Sequence, residues 1–156
     1  KRAPLKPIMY GGGQERGLRP GTLPVPLIVG LGVAAEAALE DNEARKARCL
    51  AVRDEALAAL EPLGIRMHAN EEHTLLHVLN FSVPGLDSEA IMVALKGVAA
   101  VSNGSACTSQ SYTPSHVLEA MGLPDEAIAG AIRVSWSHLT PDVDWPLLAA
   151  QIDALR

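Results

Sequence analysis

The residues from Val25 to Leu39 constrain the fold of this chain more than any other stretch of its sequence. They are apolar or alanine-rich on nearly every face that a helix would present. A helix of this kind is stable in water only when a large surface covers it, so we expect it to be buried against something large. The stretch is shorter than the roughly 20 apolar residues that cross a bilayer, and we therefore predict no membrane-spanning segment.

The next segment, from Glu43 to Leu60, has a different pattern. Its apolar residues recur at helical spacing and leave the other faces to charged side chains. The residues of this stripe are Cys49, Val52, Ala56 and Leu60. The pattern predicts an amphipathic helix with one buried face, and the helix should end near Gly64. Cys49 is therefore predicted to be a core residue.

The remaining residues alternate short strand patterns with short helix patterns. Strands are predicted over Leu75 to Val83, where β-branched and apolar residues dominate, and over Val98 to Ser102. Asp87 is placed to cap a helix over Ser88 to Lys96. We predict an α+β fold in which helices pack on a small sheet.

The composition disfavours several classes of function. A formal charge of -5 and few aromatic side chains (2 Trp, 2 Tyr and 1 Phe) argue against a nucleic-acid surface, which needs basic patches and stacking faces. The five histidines lack the spacing of a metal site, so no metal is expected. The first residues lack a signal-peptide pattern and the two cysteines are expected to be reduced, so the cytoplasm is the expected location.

The stretch VSNGSACTSQSYTPSH, from Val101 to His116, places the second cysteine among small and hydroxylated residues. Such residues favour an exposed loop, and an exposed thiol is able to react. Cys107 has no adjacent lysine or arginine in the sequence, so activation of its thiol would have to come from another molecule or site. A functional thiol and an incidental surface cysteine both fit these residues.

Two other residues are suited to binding an anion. Ile132, Val134 and Trp136 alternate with polar residues, so Arg133 is expected on the face of a strand that points away from the core. A guanidinium on a rigid strand can bind a carboxylate or phosphate through two hydrogen bonds, although the pattern by itself favours a solvated arginine. Thr22 lies just before the first predicted helix, where its hydroxyl can bind an anion or cap the helix.

Three separated stretches of the sequence resemble one enzyme family. They are GGGQERGLRPGTLPVPLIVGLGVA, SNGSACTS and IRVSWS, and their order and separation are similar to those in the C-terminal part of the NifS/IscS-type cysteine desulfurases. The resemblance covers essentially the whole chain. It implies part of a homodimeric fold-type I enzyme that uses pyridoxal 5′-phosphate (PLP) to convert L-cysteine to L-alanine and retains the sulfur as a persulfide.

The resemblance also implies roles for individual residues. Cys107 corresponds to the nucleophilic cysteine, Arg133 to the arginine that binds the substrate carboxylate, and Thr22 to the threonine that reaches the PLP phosphate of the partner subunit. The serine-rich flanks of Cys107 resemble the long, mobile loop of the family's first group. On this basis residues 1–42 belong to the end of the large cofactor-binding domain and its linking helix, and residues 43–156 form the small C-terminal domain.

One element of the family pattern is missing from the chain. No segment of the Ser-x-His-Lys type precedes GGGQERG, so the lysine that would hold PLP is expected to lie outside this chain, which alone is predicted to be inactive. The sulfur acceptor, expected to be a protein, stays open between iron–sulfur assembly and thiolation of nucleic acid, including DNA phosphorothioation. A non-catalytic sulfur-relay or interaction module and a PLP-dependent aminotransferase or selenocysteine lyase relative are the alternative functions.

Overall fold

A computed structural model describes residues 4–103 and 114–156 of the 156-residue chain. The chain divides into two compact units, Lys1–Asn42 and Glu43–Arg156. Cys107 lies outside the described residues. Within the described ranges, no helix is long and apolar enough to cross a lipid bilayer.

The described part of the first unit consists of a glycine-rich loop and one α-helix. The loop contains a short 3-10 turn at Glu15–Gly17, and the backbone N–H of Gly21 donates to Oε1 of Gln14 at 3.2 Å. Helix α1 then spans Val25–Glu40. The predicted helix is confirmed, but the expected burial is not found, since none of its residues is buried in this chain. The reason is that the described part of this unit has no second long helix or strand to cover it.

Helix α2 spans Asn42–Leu60 and contributes the first core residues of the second unit. The predicted amphipathic pattern is confirmed, because every residue of the stripe is at most 8% exposed. The guanidinium-bearing Arg53 is buried beside them and donates to the carbonyl oxygen of Val78 at 3.3 Å. A 3-10 turn at Glu61–Leu63 follows, and Gly64 ends it with φ of +64°, a left-handed conformation that favours glycine.

Among the described residues, four short strands form one antiparallel sheet. They are β1 (Arg66–Met67), β2 (Val78–Ser82), β3 (Ser102–Asn103) and β4 (Ile132–Ser135), in the order β1-β2-β4-β3. The other helices are α3 (Ser88–Ala94), α4 (His116–Ala120), α5 (Asp125–Ala129) and α6 (Trp145–Asp153). Asp87 caps α3 as predicted, because its Oδ1 accepts from the N–H of Glu89 at 2.8 Å. These elements confirm the expected α+β fold.

In the two central strands, one face of the sheet is apolar and the other is mixed. Alternate residues of the two central strands point into the main core, which α2, α3 and α6 also line. These residues are Leu79 and Phe81 of β2 and Ile132 and Val134 of β4. A smaller cluster of Leu118, Ile128 and Ala131 joins α4 to α5. Side chains at intervening positions, such as Asn80 and Arg133, therefore lie on the face opposite the main core.

One predicted strand is wrong. Residues 98–101 form no strand, and β3 begins only at Ser102. The backbone N–H groups of Val98 and Ala99 both donate to the carbonyl oxygen of Leu95, at 2.9 and 3.0 Å. Because these donors are used at the end of α3, they are not available to pair with a neighbouring strand.

Candidate functional site

A line of polar side chains crosses the sheet on the face opposite the main core. Asn80 of β2 is the direct cross-strand partner of Arg133 of β4. The pairing of β1 with β2 continues one step beyond Met67, because the N–H of His68 donates to the carbonyl oxygen of Asn80 at 3.0 Å. Directly opposite residues in antiparallel strands share a face, so His68, Asn80 and Arg133 form one row.

His68 is buried within this row and bonded through both ring nitrogens. Its Nδ1 lies 2.7 Å from Oδ1 of Asn80, and its Nε2 lies 2.9 Å from Oγ of Ser82. Burial lowers the pKa of His68 below its ordinary value, the hydrogen bond with Asn80 raises it, and the charge of Arg66 lowers it further. The ring is therefore neutral at pH 7. An amide oxygen only accepts, so Nδ1 carries the hydrogen and Nε2 accepts from the hydroxyl of Ser82.

The row forms the floor of a cavity of about 270 Å³. Its lining residues are His68, Ala69, Asn80, Asn103, Ser115, Val117, Leu118, Met121 and Arg133. Arg133 is exposed, while its neighbours Ile132 and Val134 are buried, which confirms the predicted alternation of β4. Among these described lining residues there is no carboxylate and no lysine, so the guanidinium of Arg133 gives the cavity its positive charge. Such a cavity favours an anionic ligand.

The same cavity lies between the two ends of the segment that contains Cys107. Asn103 is the last described residue before that segment. Ser115 follows the segment and caps α4, because its Oγ accepts from the N–H of Leu118 at 3.5 Å. Both residues line the cavity with Arg133. Cys107 itself lies outside the described residues, and its role stays a prediction.

Thr22, the third predicted site residue, belongs to the first compact unit, whereas Arg133 belongs to the second. Thr22 is exposed. The N-cap position of α1 is Pro24, and no side chain makes a capping hydrogen bond there. The interpretation of Thr22 as a helix cap is therefore wrong. Its role in binding an anion stays a prediction.

Sequence reasoning missed His68 and Asn80. A signal for Asn80 was present, since a polar amide in the apolar run VLNFS has to be hydrogen-bonded when the strand is buried. No such signal existed for His68, because its contact with Asn80 depends on the cross-strand register. Over the part of the chain that the structure describes, no cluster of three or more His, Cys, Asp or Glu side chains is arranged to hold a metal ion.

Comparison with known proteins gives a consistent result for sequence and structure. The family model of Aminotransferase class-V matches residues 4–144. The cysteine desulfurase IscS of Rickettsia africae (strain ESF-5) is 40% identical over 161 residues, which cover 99% of this chain and 39% of the relative. The chain thus spans about two fifths of the length of the curated relatives it matches.

Two solved structures are similar to this chain. A NifS-like protein superposes with a TM-score of 0.78 at 31% identity, covering 99% of this chain and 40% of the other. DndA from Streptomyces lividans superposes with a TM-score of 0.68 at 43% identity, covering 88% of this chain and 38% of the other. These similarities confirm the expected fold class. With the match to the family model over most of its length, the chain belongs to the class-V aminotransferase family.

Proposed function

We propose that this chain is the C-terminal part of a PLP-dependent cysteine desulfurase, in which Arg133 binds the carboxylate of L-cysteine and Cys107 receives its sulfur. The observation that carries the proposal is the cavity in which Arg133 meets Asn103 and Ser115, the residues that flank the Cys107 segment. Cys107 follows Asn103 by four positions in the sequence, so even an extended chain keeps their Cα atoms within about 14 Å. The thiol is thereby tethered close to a substrate that Arg133 holds.

The chemistry divides between the cofactor and this chain. Bound PLP would supply an electron sink for the α-carbon of the substrate. Arg133 would fix the substrate carboxylate through two N–H···O bonds and so hold the substrate sulfur within reach of Cys107. The Cys107 thiolate attacks that sulfur and a sulfur–sulfur bond forms, while the bond between the substrate sulfur and its β-carbon breaks. The electron pair of the broken bond stays with the β-carbon, which takes up a proton. The products are L-alanine and a persulfide on Cys107.

The two cysteines provide a matched test of this role. In the complete protein, Cys107→Ser should abolish formation of L-alanine from L-cysteine, because the hydroxyl cannot accept the sulfur as a persulfide. Cys49→Ala removes the other thiol of this chain, which is buried in the core, and should leave alanine formation in place. Intact mass after exposure to L-cysteine should show one added sulfur in the Cys49 variant and none in the Cys107 variant. Alanine formation at the wild-type rate by Cys107→Ser would disprove the assignment.

The carboxylate role of Arg133 is tested by kinetics. Arg133→Ala should raise KM for L-cysteine about tenfold or more, since a charge-assisted bidentate contact is lost, and misorientation should also lower kcat. Arg66→Ala makes the same change on an exposed arginine of β1 that does not line the cavity, and it should alter neither constant. If Arg133→Ala, like Arg66→Ala, leaves KM and kcat unchanged, Arg133 is a solvated arginine.

The first unit fits one part of PLP, its phosphate. Thr22 has no capping role, and Arg16 and Arg19 of the same loop are also exposed. A hydroxyl and basic side chains just before a helix suit a phosphate group. No lysine is present among the described residues that line the Arg133 cavity, and we propose that the lysine that would hold PLP lies elsewhere in the complete protein.

We further propose a homodimer in which Thr22 binds the PLP phosphate of the partner subunit. Light scattering of the complete protein should then give the mass of a dimer. Thr22→Val should reduce the PLP content of the purified protein, whereas Thr22→Ser keeps the hydroxyl and should retain it. Equal PLP content in the two variants would remove Thr22 from the phosphate site.

The persulfide on Cys107 is proposed to pass to an acceptor protein in the cytoplasm. Similarity to IscS supports iron–sulfur assembly, and the 43% identity with DndA supports thiolation of nucleic acid. Capture of proteins that bind the persulfidated complete enzyme, but not its Cys107→Ser form, would identify the acceptor. Persulfide uptake on Cys107 from a small-molecule persulfide, without PLP and without alanine formation, would instead support the relay-module alternative.

A further inference from the structure

Asn80 is a polar residue inside an otherwise buried strand. Its neighbours in β2, Leu79 and Phe81, are both fully buried in the main core. Asn80 points the other way, is partly buried, and lines the cavity beside Arg133. A polar side chain at such a position requires hydrogen-bond partners, because an unmet donor or acceptor there is costly.

The amide of Asn80 is held in one orientation. Its Oδ1 accepts from Nδ1 of His68 at 2.7 Å, and Nε2 of the same ring is bonded to Ser82 at 2.9 Å. The backbone N–H of His68 also donates to the carbonyl oxygen of Asn80, so the ring is held at both nitrogens and its backbone is held by the strand pairing. With the oxygen engaged, the hydrogen-bonding group left to Asn80 is its amide nitrogen, which carries two N–H donors.

Asn80 and Arg133 line the same cavity. The two residues are direct cross-strand partners on one face, a relation that places their Cβ atoms about 4.5–5.5 Å apart. A carboxylate has two oxygens with about four acceptor positions, so it can accept from both side chains at once. We propose that Asn80 donates to the same substrate carboxylate that Arg133 binds, and that His68 is the positioning residue that turns the Asn80 amide towards it.

The two ligands would act in different ways. This inference rests on the proposed function, because the carboxylate is that of L-cysteine. The charge of Arg133 attracts anions in general, whereas a fixed neutral donor at one side also selects the orientation of a planar carboxylate. The absence of a carboxylate from the described cavity wall is consistent with this, since an acidic residue in place of Asn80 would compete with the substrate for Arg133.

Binding of L-cysteine and of cysteamine can be compared to measure how much the substrate carboxylate contributes to affinity. Cysteamine is L-cysteine without its carboxylate. Dissociation constants of both are measured by calorimetry on the complete PLP-bound enzyme, with Cys107→Ser as the background that prevents turnover. Asn80→Asp is the first variant, because Asp keeps an acceptor for His68 while it loses the donors. Asn80→Ala is the second, and Asn70→Ala is the control, an exposed asparagine that does not line the cavity.

The measured quantity is the preference for L-cysteine over cysteamine. Both Asn80 variants should reduce it about tenfold or more, with Asn80→Asp the stronger because its charge repels the carboxylate. His68→Leu should reduce it less, since the amide of Asn80 is then free to turn. Asn70→Ala should leave it unchanged. Cysteamine binding should stay the same in every variant.

Failure of this inference is distinct from failure of the proposed function. If Arg133→Ala abolishes the preference while folded Asn80→Asp and Asn80→Ala proteins keep it, Asn80 is not a ligand and the proposed function stands. If the background protein itself shows no preference for L-cysteine, the carboxylate site at Arg133 is wrong, and the role of Asn80 fails with it.

Discussion

The burial of helices α1 and α2 is the opposite of what their apolar content suggests. Helix α1 is the more apolar, yet none of its residues is buried, and Leu31 remains 73% exposed. Helix α2 carries charges on most of its surface, yet its apolar stripe is buried, with Leu60 at 0% exposure. The difference lies in the partners that the chain supplies. Glu43–Arg156 contains the sheet and the core helices α3 and α6, whereas Lys1–Asn42 contains no comparable element in its described part.

The comparison shows what hydrophobicity alone can establish. A high apolar content predicts that a helix has to be covered, but it does not show that the covering surface belongs to the same chain. An amphipathic stripe says more about burial, because it shows which face of the helix packs on a core and which face stays in solvent. The second unit therefore has the means to hold its own structure, and all described residues that line the Arg133 cavity belong to it.

The largest expected difference between the two helices is in the effect of truncating a leucine in each. Leu60→Ala should lower the free energy of unfolding of the second unit by about 2–5 kcal/mol, because it leaves a cavity in a closed core. Leu31→Ala removes the same atoms from an exposed position and should change it by less than about 0.5 kcal/mol. Urea unfolding of the 156-residue chain, followed by tryptophan fluorescence, measures both. Both tryptophans, Trp136 and Trp145, lie in the second unit. Equal losses would show that α1 is covered in solution.

Two buried tryptophans, Trp136 and Trp145, allow a test of the core of the second unit. Nε1 of Trp136 donates to the carbonyl oxygen of Cys49 at 2.9 Å, whereas Nε1 of Trp145 is buried and has no hydrogen-bond partner in the described parts of the chain. The two rings make an edge-to-face contact with centroids 6.3 Å apart. Trp136→Phe should therefore cost about 1–3 kcal/mol more than Trp145→Phe, because only the first breaks a hydrogen bond. Thermal unfolding measured by circular dichroism gives the difference. A larger loss for Trp145→Phe would contradict this arrangement.

The sequence predicted features that depend on local periodicity. The stripe of α2 and the exposed position of Arg133 follow from spacing along one element, and the structure confirms both. The strand over Val98 to Ser102 was wrong, because the end of α3 uses the backbone donors that the strand pattern assigns to a ladder. The contact of His68 with Asn80 depends on the pairing of two strands, which no local pattern specifies.

Two glycines allow a finer test of the difference between the units. Gly32 lies in α1 with open space where a Cβ would be, so Gly32→Ala should stabilise the helix by about 0.5–1 kcal/mol. Gly64 has φ of +64°, so Gly64→Ala should destabilise the second unit by about 1 kcal/mol through backbone strain alone. Hydrogen exchange of the α1 amides measures the first and urea unfolding the second. Faster exchange in Gly32→Ala would mean that another surface packs closely on α1 in solution.

The smallest expected effect concerns pH, because all five histidines lie in the second unit and His68 is buried there. Burial lowers the pKa of His68 below its ordinary value, so the unfolded chain binds a proton more readily than the folded one. Its contribution to stability is therefore complete above about pH 6.5 and is lost as the pH falls through the lower pKa of the folded state. The neighbouring Arg66 acts in the same direction, because a protonated ring would be repelled by its charge.

His68→Gln should accordingly show a smaller loss of unfolding free energy between about pH 7.5 and about pH 5.5 than the wild-type chain. The variant is the appropriate comparison because it leaves the other four histidines to titrate as before. Exchange of the α1 amides, corrected for the intrinsic effect of pH, should not change over the same range, since Lys1–Asn42 contains no histidine. A parallel change in both units would show that they unfold as one body. Helices α1 and α2 would then differ in the exposure of their surfaces but not in their stability.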